Sequence, residues 1–311
     1  MPMTTKKRGV ASVRARHHLS REEGGSARER KQTHVSVMVK EALEALALKK
    51  GDVVVDATYG AGGHSRAIKA TAGVKLVTID ADPASGADIT GNFGDLEKLL
   101  KKAELKKIDK VLFDLGWNRD QLAVGKGLSF MGEEPLDMSY APSPRSGFTA
   151  AEILNTFTEK AIADILYGYG EERYARRIAK AVIARRDFQA FTTTLELVEL
   201  ITDAVPAAYR RGKTHCATKT FQALRIAVND ELKVLEDGVR AAWKLLECNG
   251  RVAVITFHSI EDRVVKNLFK EFARKDGKLM YKKPLTPSAS EVSQNRASRS
   301  AKLRAIEKVC K

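Results

Sequence analysis

Three apolar runs that each reach an aspartate do most to limit how this chain can fold: VVVD (residues 53–56), KLVTID (75–80) and the VLFD within KIDKVLFDL (107–115). Short unbroken runs of β-branched and apolar residues are the pattern of strands buried on both faces. Helical stretches lie between them, so the spacing predicts an α/β, doubly wound sheet of parallel strands. In such sheets a ligand crevice opens at the carboxyl ends of the strands. A fourth run, RVAVITFHS (251–259), arrives only after a gap of 135 residues beyond Leu115. That is far more than the crossover of roughly a dozen or more residues that parallel neighbours need.

The gap reads as an insertion. TAAEILNTF, TEKAIADILYGYG, ERYARRIAKAVIARR, TTLELVELITDAV and TFQALRIAVNDELKVLEDGVRAAWKLL all carry apolar residues at i, i+3, i+4 and i+7, the stripe of an amphipathic helix. The last of these is expected to be one helix that returns to the sheet as its crossover. The organisation expected is therefore a flexible basic leader at 1–32, a sheet domain from 33–121 and 216–311, and an all-helical subdomain at 122–215 above the carboxyl edge of the strands. VMVKEALEALAL predicts a further helix ahead of the first strand. After Lys275, KKPLTPSASEVSQNRASRSAKLR suits an ordered loop, or a segment ordered by a partner, better than a helix.

Charge narrows the partners. The chain carries a formal +15, and residues 1–32 with 266–311 hold the whole excess. A basic surface attracts polyphosphates at long range, while basic tails also occur merely as solubilising segments. No apolar run approaches the ~18–20 residues of a membrane span, and the N-terminal stretch lacks the apolar core of a secretory signal. A cytoplasmic address with no membrane partner follows as the expectation. Cys216, Cys248 and Cys310 are far apart in sequence and form no CxxC pair, so neither zinc nor a disulfide is expected.

Following the first strand, DATYGAGGHS places Gly60, Gly62 and Gly63 where a chain must turn tightly and approach a ligand. It is neither the dinucleotide fingerprint, because Ser65 stands where the third glycine would be, nor a P-loop, because no Lys follows. What remains is a glycine turn plus Asp80 closing the next strand, where a carboxylate can accept both hydroxyls of a ribose. An adenosine-type cofactor is the reading, set against a tight structural turn with a solvated acid. The layout resembles the S-adenosyl-L-methionine site of Rossmann-like methyltransferases.

HVSVMVKEAL, DATYGAGGHS, IDADP, DKVLFDLG, GLSFMGEEPLDM, YGEERYARRIAKAV, TKTFQALRIAVNDEL, VITFHSIEDRVVK and NRASRSAKLR occur in that order. Over residues 33–311 the chain thereby resembles the bacterial small-subunit ribosomal RNA methyltransferase H, or MraW, family. The resemblance implies a Rossmann-like methyltransferase sheet with a helical insertion and methylation of a cytidine N4 in 16S rRNA near the peptidyl-tRNA site. It also implies that Gly62, Gly63 and His64 meet the methionine end of the cofactor, Asp80 the ribose and Phe93 the adenine, with Asp114 and Gln121 completing the cofactor shell. The partner implied is small-subunit rRNA or the small ribosomal subunit; monomer and homodimer both stay open. The chain departs from the family at Trp117-Asn118-Arg119, Ser139 and Cys216, lacks the usual proline after the Asn of QNRASRS, and is shortened between Asp80 and Phe93.

For the chemistry, the amine-methyltransferase tetrad D/N/S-P-P-Y/F is missing, and DLGW takes its place. The Asp114 carboxylate, or a nearby carbonyl, is therefore the expected hydrogen-bond acceptor for the target amine. His258, at the end of the fourth strand, is a candidate second catalytic group; the plainer reading has Ser259 and Asp262 capping the next helix. Asp137, Phe130 and Met131 read either as a loop reaching the pocket or as core. In YARRIAKAVIARR, Tyr174, Ile178 and Val182 form an apolar face, and Arg176, Arg177, Lys180 and Arg185 a face that either meets phosphate or is simply solvated. Two other readings fit parts of the pattern: a nucleotide-dependent oxidoreductase, and an rRNA-binding assembly factor with weak or no turnover.

Overall fold

The computed structural model describes residues 35–71, 73–115, 125–140 and 144–310. The leader expected at 1–32, Gln121 and the Trp117-Asn118-Arg119 departure lie outside the described residues. Seven strands form one sheet: β1 (Val53–Asp56), β2 (Lys75–Asp80), β3 (Ile89–Thr90), β4 (Ile108–Asp114), β5 (Leu246–Thr256), β6 (Gly277–Leu279) and β7 (Lys302–Lys308). Their order is β3-β2-β1-β4-β5-β7-β6. The first five are parallel, and β7 runs antiparallel to β5 and β6. The chain thus leaves β1 toward one edge and returns at β4 to build the other, so the topological switch point lies between β1 and β4.

Alternate residues explain why these strands have no polar face. Val55, Val111, Phe113, Val252 and Val254 enter one core, and Val54, Leu112, Ala253 and Ile255 enter the other. Strands buried on both sides leave nothing for solvent except their ends.

The helices among the described residues are α1 (Val39–Leu46), α2 (Gly63–Lys69), α3 (Leu96–Lys102), α4 (Ala150–Thr156), α5 (Glu159–Gly170), α6 (Ala175–Arg186), α7 (Thr194–Ala204), α8 (Ala207–Arg210), α9 (Thr218–Asn229), α10 (Glu231–Leu245), α11 (Ser259–Ala273) and α12 (Ala289–Gln294). Helices α4 to α7 and α9 share a core of their own, including Ile153, Leu166, Ile178, Leu197 and Leu224. Helices α10 and α11 cover one face of the sheet with Leu235, Val239, Val265 and Phe269, and α1 covers the other with Ala42, Ala45 and Leu46. No helix of the described residues is long and apolar enough to cross a membrane.

Three expectations need correcting. The long helix expected from TFQALRIAVNDELKVLEDGVRAAWKLL is two helices, because Asp230 adopts the left-handed region at φ 50°. Asn229 holds that corner: its amide donates to the carbonyls of Met138 (2.8 Å) and Arg225 (2.9 Å) and accepts the Tyr140 N–H (2.9 Å). The tail expected as loop supplies β6, α12 and β7; pairing with β5 and burial of Leu303 and Ile306 outweigh its prolines and serines. The same pairing brings the ends of β5 and β7 together, so Cys248 and Cys310, far apart in sequence, face each other with Cα atoms 5.5 Å apart, a separation that a disulfide can span.

Candidate active site

A cavity of about 180 Å³ opens at the carboxyl ends of β1, β2 and β4, at the switch point. The glycine turn shapes its floor. Asp56 is buried, and its carboxylate accepts the Ser65 hydroxyl (2.6 Å) and the Thr58 N–H (3.2 Å), tying the end of β1 to α2. Burial pushes the Asp56 carboxyl above its ordinary value. Gly62 lies at φ 73° against the Tyr59 ring, and a Cβ on Gly63 would overlap the Ser36 hydroxyl. Neither glycine lines the cavity; their packing leaves Gly60 and Ala61 facing it.

Five of the residues singled out in the sequence do line it: Gly60, His64, Asp80, Phe93 and Asp114. One Asp80 oxygen accepts the Gly60 N–H (2.7 Å) and the other the Asp82 N–H (2.8 Å). Each carboxylate oxygen has about two lone-pair sites, so each keeps one for a ligand hydroxyl. Residues 81–88 contain no helix, and β3 has only two residues, so the shortened segment leads directly to Phe93. The Phe93 ring packs edge-on to Phe113 with centroids 5.5 Å apart. Val234 and Leu235 of α10 extend that apolar wall.

His64 is buried at the start of α2. Its Nε2 lies 3.0 Å from the Val37 carbonyl and its Nδ1 3.4 Å from Asp114 Oδ2. Burial holds its pKa below the ordinary 6.5 despite the Asp56 charge. The Asp114 N–H donates to the Thr58 hydroxyl (2.6 Å), fixing the end of β4.

The opposite wall is polar and was missed in the sequence. Arg225 Nε and Nη2 reach the two oxygens of Glu231 at 2.6 and 2.8 Å, and the Tyr140 hydroxyl donates to Glu231 at 2.8 Å. Arg225 lies four residues after the buried Phe221 on the apolar stripe of α9. A charged residue in that register was the available signal, since a charge is buried only with a partner. Glu261 completes the wall.

His258 stands outside the cavity lining as the N-cap of α11. Its ring accepts the Glu261 N–H at 3.4 Å, and its Nε2 lies 3.0 Å from Glu261 Oε1. The capping pair is therefore His258 with Glu261, one residue before the expected Ser259 with Asp262; Ser259 donates to Glu171 instead, and Asp262 binds Arg304. Glu231, His258 and Glu261 gather closely enough to suggest a metal, but the Arg225 guanidinium already neutralises Glu231. Phe130 packs on Phe221 in the helical core, Met131 is exposed and Asp137 accepts the Ser139 N–H, none of them at the cavity.

On α6, Ile178 and Val182 are buried and Arg176, Arg177 and Lys180 exposed. Arg185 differs from the expected phosphate-facing role. It donates to the Glu196 carbonyl (2.8 Å) and stacks on Phe191.

Comparison with known proteins follows the same lines. The MraW methylase family matches residues 31–309. The chain is 44% identical over 308 residues to "Ribosomal RNA small subunit methyltransferase H" of Carboxydothermus hydrogenoformans (strain ATCC BAA-161 / DSM 6008 / Z-2901), covering 89% of this chain and 98% of that one. It is 43% identical over 291 residues to the protein of the same name in Neorickettsia sennetsu (strain ATCC VR-367 / Miyayama), covering 89% and 96%. Among solved structures, an rRNA methylase from Streptococcus thermophilus overlaps 88% of this chain and 94% of its own at 11% identity, with a TM-score of 0.37. So loose a superposition adds nothing to what the strand order shows.

Proposed function

The chain belongs to the MraW methylase family, and from that premise we propose that it transfers a methyl group from S-adenosyl-L-methionine to the N4 amine of a cytidine in small-subunit (16S) rRNA, near the peptidyl-tRNA site. The observation that carries the reading is the cavity at the β1/β4 switch that gathers Asp80, Phe93 and Asp114.

The cavity suits the cofactor on its own chemistry. Asp80 keeps one acceptor site on each oxygen for the ribose hydroxyls. Phe93, Val234 and Leu235 offer an apolar slot for adenine. Gly60 and Ala61 present almost no side chain toward the methionine end, beside His64. Gly62 and Gly63 act by shaping that turn.

When bound, S-adenosyl-L-methionine supplies a methyl group already activated by its sulfonium leaving group. The chain must then overcome the poor nucleophilicity of a cytosine amine, whose lone pair is delocalised into the ring. Positioning contributes most, out of about 7–11 kcal/mol available to well-oriented reactants. Asp114 accepts one N4–H, exposing the lone pair, and takes the proton late. His258 acts through Glu261, whose carboxylate it holds at the cavity wall. The helices of 122–215 form the substrate-recognition subdomain.

Small ribosomal subunits lacking the modification, incubated with labelled S-adenosyl-L-methionine, test this directly. Label on a cytidine N4 in 16S rRNA is expected. Label confined to another position, or no label while S-adenosylhomocysteine binds normally, would overturn it.

A further inference from the structure

A second groove, of about 280 Å³, lies between α11 and the paired strands β6 and β7 with the segment that follows β6, away from the cavity just described. Lys266, Lys270, Lys282, Lys283 and Arg304 line it with Tyr281, and no acidic residue does. Arg304 is committed to Asp262, through bonds of 2.7 and 3.1 Å, and Lys302 shares that same carboxylate at 3.6 Å. The four lysines have no ion-pair or hydrogen-bond partner among the described residues. Of the other acids of α11, Glu271 binds Arg240 and Lys275. Four uncompensated cations around one concave surface repel each other, and a polyanion relieves that repulsion.

The groove is also aligned with the site. Glu261 lines the cavity on the first turn of α11. Lys266 and Lys270 follow five and nine residues later, about 7 and 13 Å farther along the axis at 1.5 Å per residue. On β7, Lys302 pairs with Thr256 at the cavity end of the sheet, and Arg304 follows toward the groove. The groove therefore starts within about two turns of α11 from the cavity. Tyr281 is half-buried, packs against the core that contains Leu303 and also lines the groove; a tyrosine ring is a surface on which an unpaired base can stack.

We propose that this groove holds the phosphodiester backbone of the substrate RNA a few nucleotides from the methylated base, with one base stacked on Tyr281. The inference rests on the rRNA-methylation reading for the identity of its ligand, but its test needs no methyl transfer. Binding of deproteinised 16S rRNA and of small ribosomal subunits is measured across salt for the wild type and for the triple variant Lys266→Gln, Lys282→Gln, Lys283→Gln. S-adenosylhomocysteine affinity, read by calorimetry, should match the wild type and certify the fold.

The variant should bind the RNA at least tenfold more weakly, with its log–log salt slope reduced by about 2 to 3, as expected from roughly 0.7–0.9 for each phosphate no longer neutralised. Tyr281→Ala should weaken binding without changing the slope. Equal affinities and slopes would overturn the proposal, as would failure of the wild type to bind the RNA. A weakening seen only with assembled subunits would assign the groove to a ribosomal protein and overturn it too. If the lysine variant loses RNA affinity while the wild type leaves cytidine N4 unmethylated, it is the proposed reaction that fails and the groove that stands.

Discussion

His64 presents Nδ1 to Asp114 Oδ2 at 3.4 Å while Nε2 faces the Val37 carbonyl at 3.0 Å. The carbonyl can only accept, so Nε2 carries a proton, and Nδ1 of the neutral ring turns its lone pair toward a carboxylate. Burial nonetheless holds the ring below its ordinary 6.5. The unfolded chain therefore takes up a proton on this histidine at a higher pH than the folded one does. Stability from this group is fully present above about pH 6.5 and is lost as the pH falls from there toward the folded value. In urea unfolding at pH 7.5 and pH 5.5, the wild-type midpoint should fall more steeply than that of His64→Asn. Parallel falls in the two proteins would remove His64 as the cause.

Asp80 carries the ribose assignment. With Gly60 and Asp82 N–H groups already bound, its carboxylate is aimed before any ligand arrives. A hydrogen bond to a charged group is worth about 1.5–3 kcal/mol. Asp80→Ala should accordingly raise the dissociation constant for S-adenosylhomocysteine by about tenfold to a hundredfold in calorimetry. A change within twofold would place the ribose elsewhere.

Much of the sheet was readable because strands buried on both faces need unbroken apolar runs, and β1, β2, β4 and β5 have them. β7 was not, since its partner β5 precedes it by 46 residues and only that pairing makes KLRAIEK a strand. In the site, Asp80 and Asp114 were visible as acids closing apolar strands. Arg225 and Glu231 were hidden by a continuous helical pattern, because nothing in the periodicity marks Asp230 as a left-handed corner. His258 was visible, but its neighbour Glu261, which reaches the cavity, was read only as part of a helix.

Gly63 is required by what packs on it. A methyl group there would overlap the Ser36 hydroxyl and crowd its Cβ, and Ser36 itself lines the cavity. Gly63→Ala should lower both the thermal midpoint and S-adenosylhomocysteine affinity, whereas in an open helix the same change stabilises by roughly 0.5–1 kcal/mol. Removing the obstacle with Ser36→Gly should recover much of the loss, a coupling that a double-mutant cycle reads directly. Additive effects of the two changes would show that the contact is not the reason.

Gly238 of α10 sets two effects of opposite sign against each other. Alanine favours a helix interior, which alone predicts a gain of about 0.5–1 kcal/mol. At this position, however, a Cβ would lie 2.8 Å from Phe93 Cδ2 and 2.9 Å from the Phe93 carbonyl oxygen. A ring can rotate away, but the carbonyl belongs to the backbone of the segment that carries Phe93 to the cavity. Relief must then come from moving that segment, and the ring that borders adenine moves with it. Gly238→Ala should therefore leave the thermal midpoint unraised and weaken S-adenosylhomocysteine binding, while Phe93→Leu weakens binding without the backbone shift. Calorimetry and thermal unfolding on both variants separate the outcomes. A Gly238→Ala protein that is more stable and binds as tightly as the wild type would show that α10 does not fix the adenine wall.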